Sequence, residues 1–209
     1  MTIQEFNRLY DKHVKLMRDT GKSEVFKNAD LSGLTLRGIN FSGAEFGSAK
    51  FDNAEMEYCV LRDCSFEGAS FENTKLEDCS FSNSRFKRAR FKTSFGNNNS
   101  FDYCTFHKCY FNTCILKNLS FRGSSFENSA VTYSTFDNLD LSRVRFVGEM
   151  TKFIHCYMIG AKITGFRGID NLSIRHSLMV KDQGPMGTSG LKFLDAKAFY
   201  MAIVHMAID

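Results

Sequence analysis

Seven cysteines, with a histidine among them, are the residues of this chain whose chemistry first draws attention. Cys104, Cys109 and Cys114 follow one another at intervals of five, and His107 lies between the first two. Zinc ligands usually come as closely spaced pairs that converge on one point. An interval of five does not match that pattern, so the role of these residues depends on the elements that carry them.

No other pattern in the sequence indicates catalysis. The five histidines are scattered, and the chain has no H-x-x-x-H pair, no glycine-rich phosphate loop and no G-x-S-x-G nucleophile elbow. We therefore predict no catalytic, metal-binding or cofactor-binding residue, and we expect that the protein is not an enzyme. The net charge of +4 over 209 residues is mild and does not by itself require a nucleic acid or an anionic membrane as partner.

A repeat of five residues organises most of the chain. Large apolar residues recur at every fifth position from Leu31 to Phe146, where 23 of 24 positions are filled and Gly96 is the single exception. The position two residues earlier is small or apolar in each unit, with Asn99 as its awkward member. A period of five fits neither a helix nor a strand, so the chain must turn a corner in every unit and point two of five side chains inward.

This pattern resembles the pentapeptide-repeat family, whose motif is A(D/N)Lxx. Close matches are residues 29–33 (ADLSG), 44–48 (AEFGS) and 69–73 (ASFEN), and the resemblance covers about residues 29–148. Membership implies four units per coil in an all-β solenoid, a right-handed quadrilateral β-helix. Side chains four units apart should then stack on one face. The longest aromatic column is the predicted core ladder: Phe46, Phe66, Phe86, Phe106, Phe126 and Phe146.

In this register all seven cysteines occupy the small inward position, counting Cys156 in a shifted frame. Successive cysteines at an interval of five then lie on different faces, which speaks against a metal site, and we interpret them as small apolar core residues. Cys59 and Cys79 lie one coil apart, about 4.8 Å, within reach of a disulfide. We expect these thiols to stay reduced in a cytoplasmic protein.

Two departures interrupt the repeat. At Gly96 the register continues unchanged, which indicates either a bulged recognition point or, as we favour, a degenerate corner into which Phe95 swings. After Phe146 the frame moves by two, to Phe153, Met158 and Ile163, and then again to Ile169 and Ile174. We therefore predict a repeat domain over residues 23–182, regular over 29–148 and irregular over 149–182, followed by a turn-rich linker at 183–190.

The ends of a solenoid need caps because they expose strand edges and core. Residues 1–22 predict an amphipathic N-terminal helix that begins with a capping box, Thr2 to Glu5, and stops at Gly21. Residues 191–209 predict a second helix that is apolar nearly all round, as either a cap or a dimer contact. It resembles the C-terminal dimerising segment of the quinolone-resistance members of the family; alternatively, a following domain covers it. Candidate dimer-contact residues are Leu191, Leu194, Phe199 and Ile203.

Surface charge is unevenly distributed along the predicted rod. Residues 45–78 carry a net charge of −6, and residues 85–92 a net charge of +5. Both bands together form the candidate interaction surface: Asp52, Glu57, Glu72, Glu77, Arg85, Lys87, Arg88, Arg90 and Lys92. The alternative is that these charges only confer solubility and pair between coils, as Glu67 with Lys87 and Glu72 with Lys92.

These observations favour a non-catalytic protein-binding scaffold that presents a rigid charged rod. The family's best-understood function, mimicry of DNA to modulate a type II topoisomerase such as gyrase, is an alternative; the positive overall charge and the lack of inserted loops speak against it. A third possibility is the β-helix module of a larger bacterial effector. We expect an unidentified protein partner, a homodimer through the C-terminal helix as an option, and a cytoplasmic location, with a secreted effector as its alternative. No segment resembles a membrane anchor, and we do not expect direct nucleic-acid binding, because the basic band has no stacking aromatics in its exposed positions.

Overall fold

The structure is a computed structural model that describes residues 1–148, 150–154, 156–159, 167, 172–175 and 178–180. One helix, α1 (Ile3–Thr20), precedes a series of short strands. The strands are β1 (Thr35–Arg37), β2 (Glu55–Glu57), β3 (Ser70–Glu72), β4 (Lys75–Glu77), β5 (Arg85–Lys87), β6 (Arg90–Lys92), β7 (Phe95–Asn97), β8 (Thr105–His107), β9 (Tyr110–Asn112), β10 (Ile115–Ser120), β11 (Ser125–Glu127), β12 (Ala130–Thr132), β13 (Thr135–Asp140), β14 (Arg145–Phe146), β15 (Thr151–Ile154), β16 (Tyr157–Ile159), β17 (Leu172–Arg175) and β18 (Leu178–Val180).

These strands form a parallel β-solenoid with four faces, numbered here in the order in which the chain meets them. Face 1 is the sheet β5-β8-β11-β14, and face 2 is the sheet β3-β6-β9-β12-β15-β17. Face 3 is the sheet β1-β2-β4-β7-β10-β13-β16-β18. Face 4 is joined by single bridges, Asn40 to Val60 to Ser80 to Ser100 to Ser120. The all-β solenoid expected from the repeat is thereby confirmed.

Successive coils pair in register at an offset of four repeat units. Ser70 pairs with Arg90 on face 2, and Arg85 pairs with Thr105 on face 1. The backbone hydrogen bonds run between coils: the Leu31 N–H donates to Lys50 O at 2.8 Å, and the Lys50 N–H donates to Ala29 O at 2.9 Å. Since these bonds satisfy the buried peptide groups, each coil is held mainly by its two neighbours.

The corners between faces explain which residues follow the central apolar position. The residue two after the centre has a positive φ, as in Asn53 (60°), Asn83 (61°) and Arg88 (59°). Glycine and asparagine tolerate this left-handed conformation best, and they are frequent at these corners. The corner residues turn the chain and leave their side chains outside the core.

The inward-facing rings stack as the offset of one full coil requires. Phe46, Phe66 and Phe86 are fully buried, and their ring centroids lie 5.1 Å and 4.8 Å apart with nearly parallel planes. The column continues through Phe106, Phe126 and Phe146 at centroid distances of 4.9, 4.6 and 5.8 Å. Its start lies one coil earlier than the sequence search placed it, because Phe26 stacks on Phe46 at 5.2 Å.

Helix α1 covers the N-terminal end of this core. The predicted capping box is present, with Thr2 and Glu5 bonded reciprocally, and Gly21 ends the helix in the left-handed conformation. Phe6 is buried and lies 6.3 Å from Phe26 and 6.1 Å from Phe41 between ring centroids. The raw end of the ladder is thereby closed. In the described part of the chain, no helix is long and apolar enough to cross a membrane.

The predicted frame shift after Phe146 is also present. Val131 pairs with Phe153, and Phe136 pairs with Met158, so the offset here is longer by two positions than in the regular coils. Phe153 then pairs with Ile174, where the offset is longer by one position. The predictions at Ile163 and Ile169, the linker at 183–190, and the C-terminal helix with Leu191, Leu194, Phe199 and Ile203 lie outside the described residues.

Truncating a mid-rod ladder residue should destabilise the protein strongly. We expect Phe86→Ala to lower the free energy of unfolding by about 3–5 kcal/mol, because it leaves a cavity between two rigid coils. Chemical denaturation followed by circular dichroism measures this loss. The matched control is Phe95→Ala, since Phe95 is 42% exposed and its truncation should cost no more than about 0.5 kcal/mol. Equal losses in both variants would contradict the stacked core.

His13 should make the N-terminal cap sensitive to acid. Its ring is buried 5.5 Å from the Phe26 ring, its Nδ1 has no hydrogen-bond partner among the described residues, and burial lowers its pKa below the ordinary value of 6.5. The unfolded chain therefore binds more protons than the folded one below about that pH, and stability falls as pH decreases. We expect unfolding experiments at pH 7.5 and 5.5 to show this loss.

The control for this prediction is His13→Phe, which keeps an aromatic ring in the same pocket. The variant should lose less stability between the two pH values than the wild type does. If both proteins lose the same amount, the acid sensitivity belongs to other groups.

Candidate interaction surface

The inward cysteines act as hydrogen-bond donors within the backbone of the rod. The Cys64 thiol donates to Phe41 O at 3.2 Å, and the Cys104 thiol donates to Phe81 O at 3.0 Å. Ser84 and Ser124, which alternate with them in the same column, donate to Leu61 O at 2.8 Å and Phe101 O at 2.6 Å. Thiols and hydroxyls thus make the same hydrogen bond at this position, which alanine also occupies in other coils, as Ala44 does in this column.

Burial also keeps the thiols of Cys64, Cys109 and Cys114 protonated. It raises the pKa of Cys64 to about 12, that of Cys109 to about 12 and that of Cys114 to about 11. All seven cysteines are buried and reduced. A buried, protonated thiol is a poor nucleophile and a poor metal ligand.

The inward side chains of the described part of the rod are closely packed, and most are fully buried. No three His, Cys, Asp or Glu side chains there are arranged to share a metal ion. A core cavity of about 10 Å³ lies among Phe111, Phe126, Val131 and Phe136 and is lined by hydrocarbon alone. Whatever this part of the protein binds must therefore contact its outward side chains.

Gly96 is neither a bulge nor a corner into which Phe95 turns. It lies in the regular strand β7, paired in register with Leu76 and Leu116, and Phe95 points outward. A Cβ on Gly96 would lie 2.1 Å from Leu76 O and 2.9 Å from the amide nitrogen of Asn99. The backbone carbonyl of Leu76 and the side chain of Asn99 together thus leave no space for a side chain at position 96. The two anomalies of the sequence compensate each other within one coil.

Asn99 is also fully bonded in this position. Its side-chain amide donates to Leu76 O at 2.9 Å, and its side-chain oxygen accepts from the Cys79 N–H at 3.0 Å. These are the two bonds that a serine makes at the equivalent positions of other coils, as Ser84 does with Leu61 and Cys64.

The acidic residues of the candidate surface are stacked as predicted but partly neutralised. Glu57 pairs in register with Glu77 on face 3, and Asp52 accepts a hydrogen bond from the Glu72 N–H at 2.9 Å on face 2. Glu57 forms ion pairs with Arg37 and, at 3.8 Å, with Lys75. Among the described residues, Glu77 has no ion-pair partner.

The basic band divides into paired and unpaired cations. Lys87 forms an ion pair with Glu67 at 2.9 Å on face 1, and Lys92 forms one with Glu72 at 2.6 Å on face 2. Both pairs were predicted from the separation of one full coil. The bond from Lys87 lowers the pKa of Glu67. Arg85 and Arg90 are exposed and have no ion pair within the described residues, and the same holds for Arg88 at the corner between faces 1 and 2.

The structure therefore gives the rod a charged asymmetry across its section. Of the unpaired cations, Arg88 lies at corner 1/2 and Arg90 directly after it, and Glu77, which has no ion pair among the described residues, lies on face 3 beside Asp78 at corner 3/4. Because the faces follow one another around a coil, these two corners are diagonally opposite. The nine candidate residues thus do not form one surface. Glu57 and Glu77 lie on face 3, whereas the other seven lie on faces 1 and 2 or at the corner between them.

Sequence reasoning missed the aromatic residues beside the cations. Tyr110 is 56% exposed and is the direct register partner of Arg90 in the next coil. Tyr103 is 53% exposed at the corner where face 1 begins. The signal was present in the sequence, since Tyr110 follows Arg90 by four repeat units in the same outward position.

Two family models, both described as pentapeptide repeats, match residues 51–94 and 25–63. Together with the four-faced solenoid and its register of four units per coil, these matches place the chain in the pentapeptide-repeat family. No curated protein matches the sequence.

Solved structures of other pentapeptide-repeat proteins resemble the fold. QnrB1, a plasmid-mediated fluoroquinolone resistance protein, is 14% identical with a TM-score of 0.48, and the match covers 90% of this chain and 98% of that one. HetL, from the cyanobacterium Nostoc and involved in heterocyst differentiation regulation, is 11% identical with a TM-score of 0.42, covering 87% and 94%. At this level the similarities carry no argument about function.

Asn99 should be required for the stability of the coil that contains Gly96. We expect Asn99→Ala to lower the free energy of unfolding by about 1–3 kcal/mol, because Leu76 O and the Cys79 N–H lose their partner. Asn99→Ser should lose less, since a hydroxyl makes both bonds in other coils. Denaturant titration of the three proteins measures the differences. An Asn99→Ala variant as stable as the wild type would contradict the compensation described here.

Proposed function

We propose that the protein is a non-catalytic scaffold that binds a protein partner through its outward side chains. The observation that carries this proposal is the difference between inward and outward side chains. Inward side chains form the core and the hydrogen bonds between coils, whereas outward side chains on four flat faces are exposed charged, amide and aromatic groups. Catalysis needs groups that converge on a substrate, and flat walls spread their side chains apart.

The distribution of charge sets the chemistry of such a partner. Corner 1/2 suits an acidic surface, and the Glu77 side of face 3 suits a basic one. Glu67 and Glu72 compensate the charges of Lys87 and Lys92, so these lysines attract an acidic partner less than the unpaired arginines do. A partner whose charge suits one side of the rod is therefore repelled by the opposite side.

Modulation of a type II topoisomerase by DNA mimicry is the second candidate. The column of Glu57 and Glu77 on face 3 supports it, because stacked carboxylates resemble a row of phosphates. We rank it second because Arg37 and Lys75 neutralise Glu57 and because the next coil is strongly basic. The buried reduced thiols support a reducing compartment such as the cytoplasm as the place of action.

Site-specific photo-crosslinking tests the scaffold. A benzophenone amino acid replaces Lys87, Lys92, Glu77 or Arg62, one outward position on each face, and the proteins are exposed to a lysate of the source organism. We expect one face, or two adjacent ones, to crosslink a discrete protein. That protein, once purified, should bind the wild-type rod, and charge reversal on the crosslinked face should weaken binding about tenfold or more.

The control is an equal charge reversal on the opposite face, which should leave the affinity unchanged. Identical crosslinks from all four faces, or none, would contradict the proposal. A crosslinked topoisomerase whose supercoiling the rod inhibits would support the second candidate. A crosslink to the protein itself, with a doubled mass by light scattering, would instead identify a homodimer.

A further inference from the structure

The coil around corner 1/2 carries cations without compensating carboxylates. No acidic residue lies between Asp78 and Asp102 in the sequence, whereas five basic residues do. Lys87 and Lys92 are held by Glu67 and Glu72 of the preceding coil. The remaining arginines, Arg85, Arg88 and Arg90, are exposed and lack a carboxylate partner in the described part of the chain, which leaves their guanidinium groups available to an anion.

The next coil extends this set with one more cation and one aromatic ring. Lys108 occupies the corner position after Arg88, and Tyr110 is the register partner of Arg90. Adjacent coils are about 4.8 Å apart, so Arg88, Arg90, Lys108 and Tyr110 form a block two coils high and two positions wide. We call these four residues the corner block.

The aromatic part of the block lies on a flat wall. Tyr110 is in strand β9 of face 2 and is more than half exposed, so a face of its ring is open to solvent. On the far side of face 1, the exposed Tyr103 packs against Gly123, where a Cβ would lie 2.7 Å from two carbons of its ring. A side chain at position 123 would displace this ring, so the glycine permits Tyr103 to lie against the rod.

We propose that the corner block binds single-stranded nucleic acid, a function beyond the protein-binding scaffold. Arginine matches phosphate oxygens with its paired N–H groups, and unpaired bases stack on exposed aromatic rings of a flat sheet. A duplex offers phosphates but keeps the faces of its bases inside the helix. A block that combines three cations with a ring open to solvent therefore fits a single strand better than a duplex.

This proposal departs from the sequence-based expectation for a physical reason. That expectation rested on the lack of stacking aromatics in the exposed positions of the basic band. The register of β6 and β9 supplies one, because it places Tyr110 directly beside Arg90 on the same face. An acidic protein could form ion pairs with the arginines, but it has no bases to stack on the ring of Tyr110.

Fluorescence anisotropy with a labelled oligo(U) strand tests the proposal on the full chain. We expect the affinity to fall as the salt concentration rises from about 50 to 200 mM. A plot of the logarithm of the binding constant against the logarithm of the salt concentration should have a slope near −0.7 for each phosphate neutralised. Arg88→Asn with Lys108→Asn should weaken binding at least about tenfold and reduce the slope by about 1.4. Asparagine is a frequent corner residue of this rod, so both substitutions suit the backbone there.

Stacking is tested separately by Tyr110→Thr, since threonine occupies equivalent outward strand positions at Thr105 and Thr135. We expect it to weaken binding about 5- to 100-fold with an unchanged salt slope, because it removes no charge. The charge control is Lys12→Gln with Lys15→Gln on α1, which removes two cations far from the block and should leave affinity within about twofold. Circular dichroism and thermal melting confirm that each variant is folded.

Three outcomes would overturn the proposal. One is the absence of binding to oligo(U) and to oligo(dT) at low salt. Another is an equal loss in the Lys12 and Lys15 control, which would show diffuse attraction to any polyanion. The third is competition by polyglutamate as effective as that by oligo(U), with Tyr110→Thr unchanged, which would indicate an acidic protein partner. The scaffold proposal fails independently, by its crosslinking pattern.

Discussion

The regular coils depend on one constraint, the parallel pairing of each coil with its neighbours at an offset of four repeat units. Backbone N–H and C=O groups that a globular protein would satisfy within a sheet of separate strands are satisfied here by the coil above and the coil below. The offset therefore decides which side chains touch. Phe66 meets Phe46 and Phe86, and Lys87 meets Glu67, because the members of each pair are separated by one full coil. Where the offset changes, the neighbours change with it, as after Phe146, where Phe136 pairs with Met158.

That constraint explains how the rod tolerates irregular residues. A large side chain is missing at Gly96, yet no residue is inserted, and the register continues unchanged on both sides. The repair is made inside the same coil, where Asn99 lies against Gly96 and keeps the bonds of the small position. The offset differs from 20 residues near the two ends of the described rod, where Ser23 pairs with Ala44 and Val131 pairs with Phe153.

The same constraint sends chemistry to the outer surface. Cysteine, serine and threonine side chains that could react elsewhere are bonded to carbonyls of the preceding coil. Charged side chains on the outside are arranged in columns, so a carboxylate is neutralised when the next coil supplies a cation. Glu67 and Glu72 are neutralised in this way, whereas Arg88 is followed by Lys108 and remains part of a positive corner. The described outward columns thus include both paired and unpaired charges.

The sequence by itself determined the repeat, the inward residues, the capping box of α1 and the ion pairs between adjacent coils. With a fixed period, two residues separated by one full coil in the sequence must be neighbours in the structure. The sequence analysis did not find the first ring of the ladder, Phe26, because the repeat was counted from Leu31, five residues later. Tertiary structure alone decided the direction of Phe95, the partnership of Gly96 with Asn99, and the burial of His13 against Phe26. These depend on the volume available between coils and beneath the helix, which a period does not specify.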